Sequence, residues 1–126
     1  MINFAIVGAG AIAKLMATTI KMMNKGGDES VKLYAIASRS LEKAKEFAKE
    51  FGIEKAYGSY EELYNDPAIN LVYIATPHNF HYEQTKACLE HGKHVLCEKA
   101  FTVNAKEAKE LIDLSKEKKL LLAEAI

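Results

Sequence analysis

Net charge is what this sequence most plainly lacks: its 126 residues carry 17 lysine and arginine side chains against 17 aspartate and glutamate side chains. A chain without net charge has no overall field that attracts polyanions, so we expect neither nucleic acid nor a membrane as a partner. Apolar runs of membrane-spanning length are missing too, and no charged segment with an apolar core precedes the first strand. These absences predict a cytoplasmic protein.

Cysteine is scarce, and the sequence contains no internal repeat and no low-complexity linker. The two cysteines, Cys88 and Cys97, lie in apolar contexts and form no C-x-x-C pair, so we predict that both are reduced and buried. A chain of 126 residues that is 49% hydrophobic can bury one core but is too short for two ordinary domains. We therefore expect residues 1–126 to form one domain with one site.

The most informative segment that is present is an apolar strand followed by a glycine turn, Gly8-x-Gly10-x-x-Ala13, and a helix. Backbone amides at the start of a helix are unpaired donors at the positive end of its dipole, and they suit a pyrophosphate. Gly8 permits the tight turn, Gly10 lets phosphates approach the backbone, and Ala13 allows close packing of helix on strand. The pattern favours a nicotinamide or flavin dinucleotide over a plain strand-turn-helix connection. The cofactor-binding residues predicted here are Gly8, Gly10, Ala11 and Ile12.

Six strand-like runs alternate with five helix-like runs along the whole chain. This rhythm predicts an α/β fold with a doubly wound parallel sheet, a Rossmann fold, whose switch point lies between strands one and four. The predicted strands are residues 3–7, 31–37, 56–57, 71–75, 94–97 and 120–123, with helix caps at Ser40, Ser59 and Asn104. The predicted inward faces are Ile12, Met16, Ile20 and Met23 on the first helix and Ala108, Leu111, Ile112 and Ser115 on the last.

The end of the second strand indicates which dinucleotide is bound. NAD-selective domains place an acidic residue there to accept hydrogen bonds from the adenosine ribose, but this chain has Ser38-Arg39. Arg39 can pair with a ribose 2′-phosphate, helped by the Ser38 and Ser40 hydroxyls, so NADP is favoured and NAD stays possible. The alternative is that Arg39 is a solvated loop cation.

Glu98-Lys99 follows the fifth strand, at the same sheet edge as the glycine turn. Lys99 is the catalytic candidate: its ammonium can orient the nicotinamide ribose and stabilise an oxyanion, or carry a proton if it is desolvated. Glu98 is counted with Lys99 among the cofactor-binding residues. The alternative is an ordinary surface ion pair.

The loop after strand four, residues 76–81, is the remaining part of the predicted site. Pro77 removes a backbone donor and stiffens the turn, which predicts a rigid wall over the cofactor. His78 or Asn79 can bond to ribose or substrate, whereas His81 is more suited to cap or pack at the helix start. The cofactor-binding residues predicted in this loop are Thr76, Pro77, His78 and His81.

Histidine pairs with H-x-x-H spacing occur twice, at His78/His81 and His91/His94. The first pair straddles a turn and the second spans the helix end at Gly92. No carboxylate or thiol completes a ligand set, so we expect no metal.

Together these residues resemble the glucose-fructose oxidoreductase / inositol dehydrogenase (Gfo/Idh/MocA) family, over essentially the whole chain. The motifs are the glycine turn, Ser38-Arg39, Ala75-Thr-Pro77 with His81, and Cys97-Glu98-Lys99; residues 98–104 and 123–126 look most like the dihydrodiol dehydrogenase branch. The resemblance implies an NAD(P)-dependent oxidoreductase acting on a sugar, polyol or diol, with Lys99 near the nicotinamide. Ala100 departs from the family's usual proline, and His78 from its common asparagine.

The resemblance also implies a second domain for substrate binding and homo-oligomer formation, so residues 1–126 are expected to be the cofactor part of a longer enzyme that is inactive alone. A free-standing NADP(H) sensor is the main alternative. A methyltransferase is a weaker one, because it requires an acid after strand two and has no use for Glu98-Lys99.

Overall fold

The computed structural model describes residues 1–98 and 104–125, in which strands and helices alternate as predicted. No helix in these residues is long and apolar enough to cross a membrane. The elements in chain order are β1 (Ile2–Val7), α1 (Ala11–Lys25), β2 (Val31–Ala37), α2 (Leu41–Phe51), β3 (Lys55–Tyr57), α3 (Tyr60–Tyr64), β4 (Leu71–Ile74), a 3-10 turn (His78–Phe80), α4 (His81–Glu90), β5 (His94–Glu98), α5 (Ala105–Glu117) and β6 (Leu122–Ala125).

The strands form one parallel sheet in the order β3-β2-β1-β4-β5-β6. This order confirms the doubly wound Rossmann topology. The strand order reverses between β1 and β4, so the connections after these two strands leave on opposite faces of the sheet. A crevice therefore opens at the carboxyl ends of β1 and β4.

Helices cover both faces of the sheet. One face packs under α1 and α2, which bury Ile20 and Phe47 against Ile6 and Ile36. The other face packs under α3, α4 and α5. The predicted caps are confirmed, because the side chains of Ser40, Ser59 and Asn104 accept hydrogen bonds from backbone amides three residues further on.

The predicted inward face of α1 was partly wrong. The buried positions are Ala13, Ala17 and Ile20, whereas Ile12 is 50% exposed and Met23 is 38% exposed. Two alanines four residues apart give the helix a flat surface, which lets it lie close on the sheet. Ile12 and Met23, two of the large apolar side chains that dominate the periodicity, consequently lie off the buried stripe, whereas Ile20 lies on it as predicted.

The last helix and strand also differ from the prediction. On α5, Leu111 and Ser115 are buried but Ile112 is 40% exposed. The last strand, β6, begins two residues late because Lys119 takes a left-handed conformation (φ 57°) and the Leu120 amide still bonds to the Ser115 carbonyl. The turn at the end of α5 therefore includes the start of the apolar run from which the strand over residues 120–123 was predicted.

Both cysteines are buried and unpaired, as the sequence indicated. Cys88 on α4 and Cys97 on β5 are completely inaccessible to solvent. Burial raises the pKa of both thiols, that of Cys97 to about 12. At neutral pH both are therefore protonated core side chains without nucleophilic character.

The buried stripe of α1 leads to a first prediction. Ala17→Leu is expected to lower the free energy of unfolding by about 1–3 kcal/mol, because no space exists between α1 and the sheet for a larger side chain. Thr18→Leu adds the same side chain at the next, exposed position and should change stability by less than about 0.5 kcal/mol. Urea unfolding of both variants measures this; equal effects would contradict the assignment of the buried stripe.

Candidate functional site

The glycine turn after β1 lies tightly against the loop after β4. Gly8 has a φ of +107°, and a Cβ built on it would lie 3.2 Å from the Ala75 carbonyl carbon and oxygen and 3.3 Å from Thr76 Cγ2. The Gly8 amide donates to the Ala37 carbonyl of β2 at 2.9 Å. A residue with a side chain would be strained both by its conformation and by this contact. The fold itself therefore requires glycine at this position.

Gly10 lies at the N-cap of α1, where, unlike at Gly8, neither the backbone conformation nor the packing requires glycine. Its φ is −89°, and a Cβ there would meet no atom within 4 Å. Within the described residues, no side chain caps this helix and no acidic residue lies in its first turn. The first amides of α1 are thus donors facing open space, and glycine is not needed for the protein's own packing. An anionic group that approaches the backbone closely fits this arrangement.

A cleft of about 600 Å³ opens beside these amides. It brings together eight of the predicted residues, contributed by the carboxyl ends of β1, β2 and β4. A neighbouring recess of about 430 Å³ shares Arg39, Tyr60 and Phe80 with the cleft. The cleft is lined by Gly8, Ala9, Gly10, Ala11, Ile12, Ser38, Arg39, Tyr60, Ala75, Thr76, Pro77 and Phe80.

The segment after β2 places one buried hydroxyl and one exposed cation in the cleft. Ser38 is buried, and its Oγ accepts a hydrogen bond from the Ser40 amide at 3.2 Å. As the acceptor in that bond, the Ser38 hydroxyl keeps its own proton for donation to a ligand. Arg39 is exposed, and its guanidinium carbon lies 4.7 Å from the centre of the Phe80 ring. This contact joins the loops after β2 and β4 across the cleft.

The loop after β4 is held from behind by two buried side chains of α4. His81 is 1% exposed, and its Nε2–H donates to the Thr76 carbonyl at 2.5 Å. The Thr76 hydroxyl donates to the side-chain carbonyl of Gln84. These bonds fix the direction in which Thr76 and Pro77 face the cleft. His81 is not among the residues that line the cleft and supports the wall of the site from inside the protein, the packing role considered for it, while its contact with the cofactor stays a prediction.

The end of β5 carries Glu98, whose partly buried carboxylate accepts a hydrogen bond from the Tyr73 hydroxyl of β4. Lys99, Ala100 and the side chain of His78 lie outside the described residues. The prediction for Lys99 therefore falls outside the described residues, and the last described residue before it is Glu98.

The histidines of the second H-x-x-H pair bond to nearby backbone groups. His91 Nδ1–H donates to the Ala87 carbonyl at 2.7 Å, and His94 Nδ1 accepts from the Leu121 amide at 2.9 Å. Across residues 1–98 and 104–125, no group of three or more histidine, cysteine or acidic side chains is arranged to hold a metal.

Sequence reasoning missed Tyr60, Phe80, Gln84 and Tyr73. Phe80 lies inside the segment already singled out, so its aromatic side chain was a usable signal. Gln84 could have been suggested by its place one helical turn after His81. Tyr60 reaches the cleft from α3 and Tyr73 lies within an apolar strand, and neither has a marker in the local sequence.

An open parallel sheet with an uncapped helix start at its switch point defines a dinucleotide-binding Rossmann domain. The comparison with known families agrees: the family model for the NAD-binding Rossmann fold of oxidoreductases matches residues 2–125. The chain belongs to the Gfo/Idh/MocA oxidoreductase family.

Two curated relatives and one solved structure illustrate the similarity. The chain is 42% identical over 125 residues to trans-1,2-dihydrobenzene-1,2-diol dehydrogenase of Bos taurus, covering 99% of this chain and 36% of the relative. It is 40% identical over 132 residues to D-xylose 1-dehydrogenase (NADP(+)) of Hypocrea jecorina, covering 99% of this chain and 34% of that protein. An NAD binding oxidoreductase from Klebsiella pneumoniae superposes with a TM-score of 0.91 at 31% identity, over 98% of this chain and 34% of the other. The chain thus spans about a third of the length of the curated relatives it matches.

The two glycines provide a matched pair of variants. Gly10→Ala should lower the free energy of unfolding by no more than about 1 kcal/mol, because its Cβ points into open space and alanine is only a poorer N-cap residue than glycine. It should weaken NADPH binding about tenfold or more, because the methyl group occupies the phosphate approach. Gly8→Ala should instead destabilise the fold by about 2 kcal/mol or more. Urea unfolding and titration calorimetry separate the effects; unchanged NADPH affinity in Gly10→Ala would contradict this assignment.

Proposed function

We propose that this chain is the cofactor-binding part of an NADP-dependent oxidoreductase that moves a hydride between the nicotinamide and a CH–OH or carbonyl carbon. The observation that carries the proposal is the uncapped start of α1, with an open Gly10, lying in one cleft with Arg39. The helix start suits the pyrophosphate, and the arginine suits a further phosphate on the adenosine side.

The pyrophosphate is held by backbone groups of the glycine turn. The amides of Ala11 and Ile12 start α1 and carry the positive end of its dipole. No acidic side chain lies in the first turn of α1 to repel an anion. Ile12 is half exposed at the cleft, where its apolar side chain can cover the ligand.

The adenosine side is read by Ser38 and Arg39. A guanidinium gives strong paired bonds to a phosphate, and Ser38 adds a donor hydroxyl. An acid at this position would instead favour the free 2′-hydroxyl of NAD. The name of the Hypocrea jecorina relative, which specifies NADP(+), supports the same choice.

The nicotinamide side is formed by Thr76, Pro77, Glu98 and Lys99, with His78 as a candidate contact to ribose or substrate. When bound, the nicotinamide supplies the carbon that gives or accepts the hydride. Lys99 follows Glu98 at the end of β5. Its ammonium stabilises negative charge on the reacting oxygen and holds or moves the proton there. Thr76 and Pro77 form a fixed wall on one side of this part of the site.

The substrate class is a sugar, polyol or diol, as the names of the two curated relatives suggest. Since this chain spans about a third of those relatives, we propose that a further domain holds the substrate and forms a homo-oligomer. Hydride transfer needs the reacting carbons about 3–3.5 Å apart in an aligned pose, so residues 1–126 alone should bind cofactor without turning over substrate. The balanced charge supports a protein that binds neither nucleic acid nor anionic membranes, and a cytoplasmic location remains part of the proposal.

Cofactor choice tests the proposal directly. The chain should bind NADPH about ten- to a hundredfold more tightly than NADH, which corresponds to one or two charge-assisted hydrogen bonds. Arg39→Ala should abolish most of this difference, whereas Lys45→Ala, which removes an exposed charge from α2, should not. Titration calorimetry with both cofactors decides the matter. Equal affinities in the unmodified chain would overturn the NADP assignment.

Catalysis by Lys99 has a separate test in the longer enzyme. Lys99→Ala should lower turnover at least about a hundredfold but weaken cofactor binding only slightly, since the charge it stabilises develops during the reaction. Lys106→Ala, an exposed lysine of α5, is the control. Steady-state rates over a panel of polyols and diols provide the measurement, and near-normal turnover of Lys99→Ala would show a structural role.

A further inference from the structure

Tyr73 is unusual because its hydroxyl extends out of an apolar layer. The ring is 1% exposed in the core cluster under α1 and α2, with Phe4 stacked 6.2 Å away between ring centres. A phenylalanine would fill that space equally well, as Phe4 does on the neighbouring strand β1. A buried hydroxyl is costly without a partner, so the hydroxyl is explained by what it binds.

The partner of that hydroxyl is Glu98. Tyr73 on β4 is in register with Leu96 on β5, and Glu98 lies two residues beyond Leu96 on the same face of the sheet. The Tyr73 side chain therefore runs towards the carboxyl edge and donates to Glu98 Oε1. Burial and the neighbouring carboxylate raise the pKa of Tyr73, so the hydroxyl stays protonated at neutral pH. The bond uses one carboxylate oxygen, and a carboxylate has a second one.

We propose that Tyr73 is a positioning residue, which orients the Glu98 carboxylate so that its second oxygen accepts a hydrogen bond from the ribose next to the nicotinamide. This inference rests on the proposed function. Glu98 lies on the sheet face that α1 covers, so its carboxylate and the start of α1 stand on the same side of the crevice. A dinucleotide whose pyrophosphate lies on α1 and whose adenosine lies towards Arg39 extends its other half over β4 and β5.

The inference predicts that removing the Tyr73 hydroxyl weakens binding only of the half of the cofactor that contains the nicotinamide ribose. Tyr73→Phe keeps the ring and removes the hydroxyl. NADP⁺ binding should weaken about three- to tenfold, the loss of one oriented hydrogen bond. Binding of adenosine 2′,5′-bisphosphate, which lacks the nicotinamide ribose, should change by less than about twofold. Tyr82→Phe is the matched control, because the Tyr82 hydroxyl also donates to a carboxylate, that of Glu110, on the outer surface of α4 and α5.

The route through Glu98 is tested by a double-mutant cycle. Glu98→Ala should weaken NADP⁺ but not the bisphosphate, and adding Tyr73→Phe to it should cause little further loss. Calorimetry with both ligands gives the affinities, and thermal unfolding gives the stability of each variant. If Tyr73→Phe does not fold, Glu98→Ala alone can still overturn the inference, since an equal loss of both ligands would exclude a contact between Glu98 and the nicotinamide ribose.

The remaining outcomes are also distinct. Additive losses, a uniform effect of Tyr73→Phe on both ligands, or a lowered stability with unchanged binding would show that Tyr73 is structural, and would leave the proposed function intact. If the unmodified chain bound neither NADP⁺ nor the bisphosphate, the proposed function would fail, and this inference with it.

Discussion

The close approach of the β1 turn to the β4 loop is the constraint on which the site depends. Gly8 lies against the Ala75 carbonyl and the Thr76 side chain, where an added methyl group would be only 3.2–3.3 Å from these atoms. This contact occurs where the strand order reverses, so the chain leaves β1 on one face and β4 on the other. The crevice between the segments that follow β1 and β4 is narrow at its base and open above, where the first amides of α1 face solvent.

Three kinds of candidate ligand-binding group lie around that crevice, each at or just after the end of a different strand of the sheet. Backbone amides of α1 lie at the centre, Ser38 and Arg39 lie on the β2 side, and Glu98 lies on the β5 side. Neighbouring strands are about 4.8 Å apart, so the sheet sets the spacing of the strand ends near which these groups lie. An extended ligand with a phosphate at its middle and different chemistry at its ends suits this arrangement, as the family's NAD-binding fold requires.

Behind the cleft, buried polar side chains hold its walls in place. His81 and Gln84 of α4 bond to Thr76, and Tyr73 of β4 bonds to Glu98. Each bond joins a side chain enclosed by the core to a residue at the carboxyl edge of the sheet. A site that must hold a ligand in one orientation benefits from walls whose own polar groups are satisfied and fixed.

The sequence by itself determined the strand-helix alternation, the strand order and most of the cleft, because these follow from local signals. Local sequence patterns predict the glycine turn, the capping residues and the segments after parallel strands, whatever packs on them. The glycine motif also predicted that Ala13 packs on the strand, but only the tertiary structure decided that Ala17 shares its face while Ile12 and Met23 do not, since this depends on how closely the helix lies on the sheet. The tertiary structure also decided the start of β6, through the turn at Lys119, and the partners of Tyr73 and His81. Those bonds depend on register and on helix placement, which no local sequence pattern encodes.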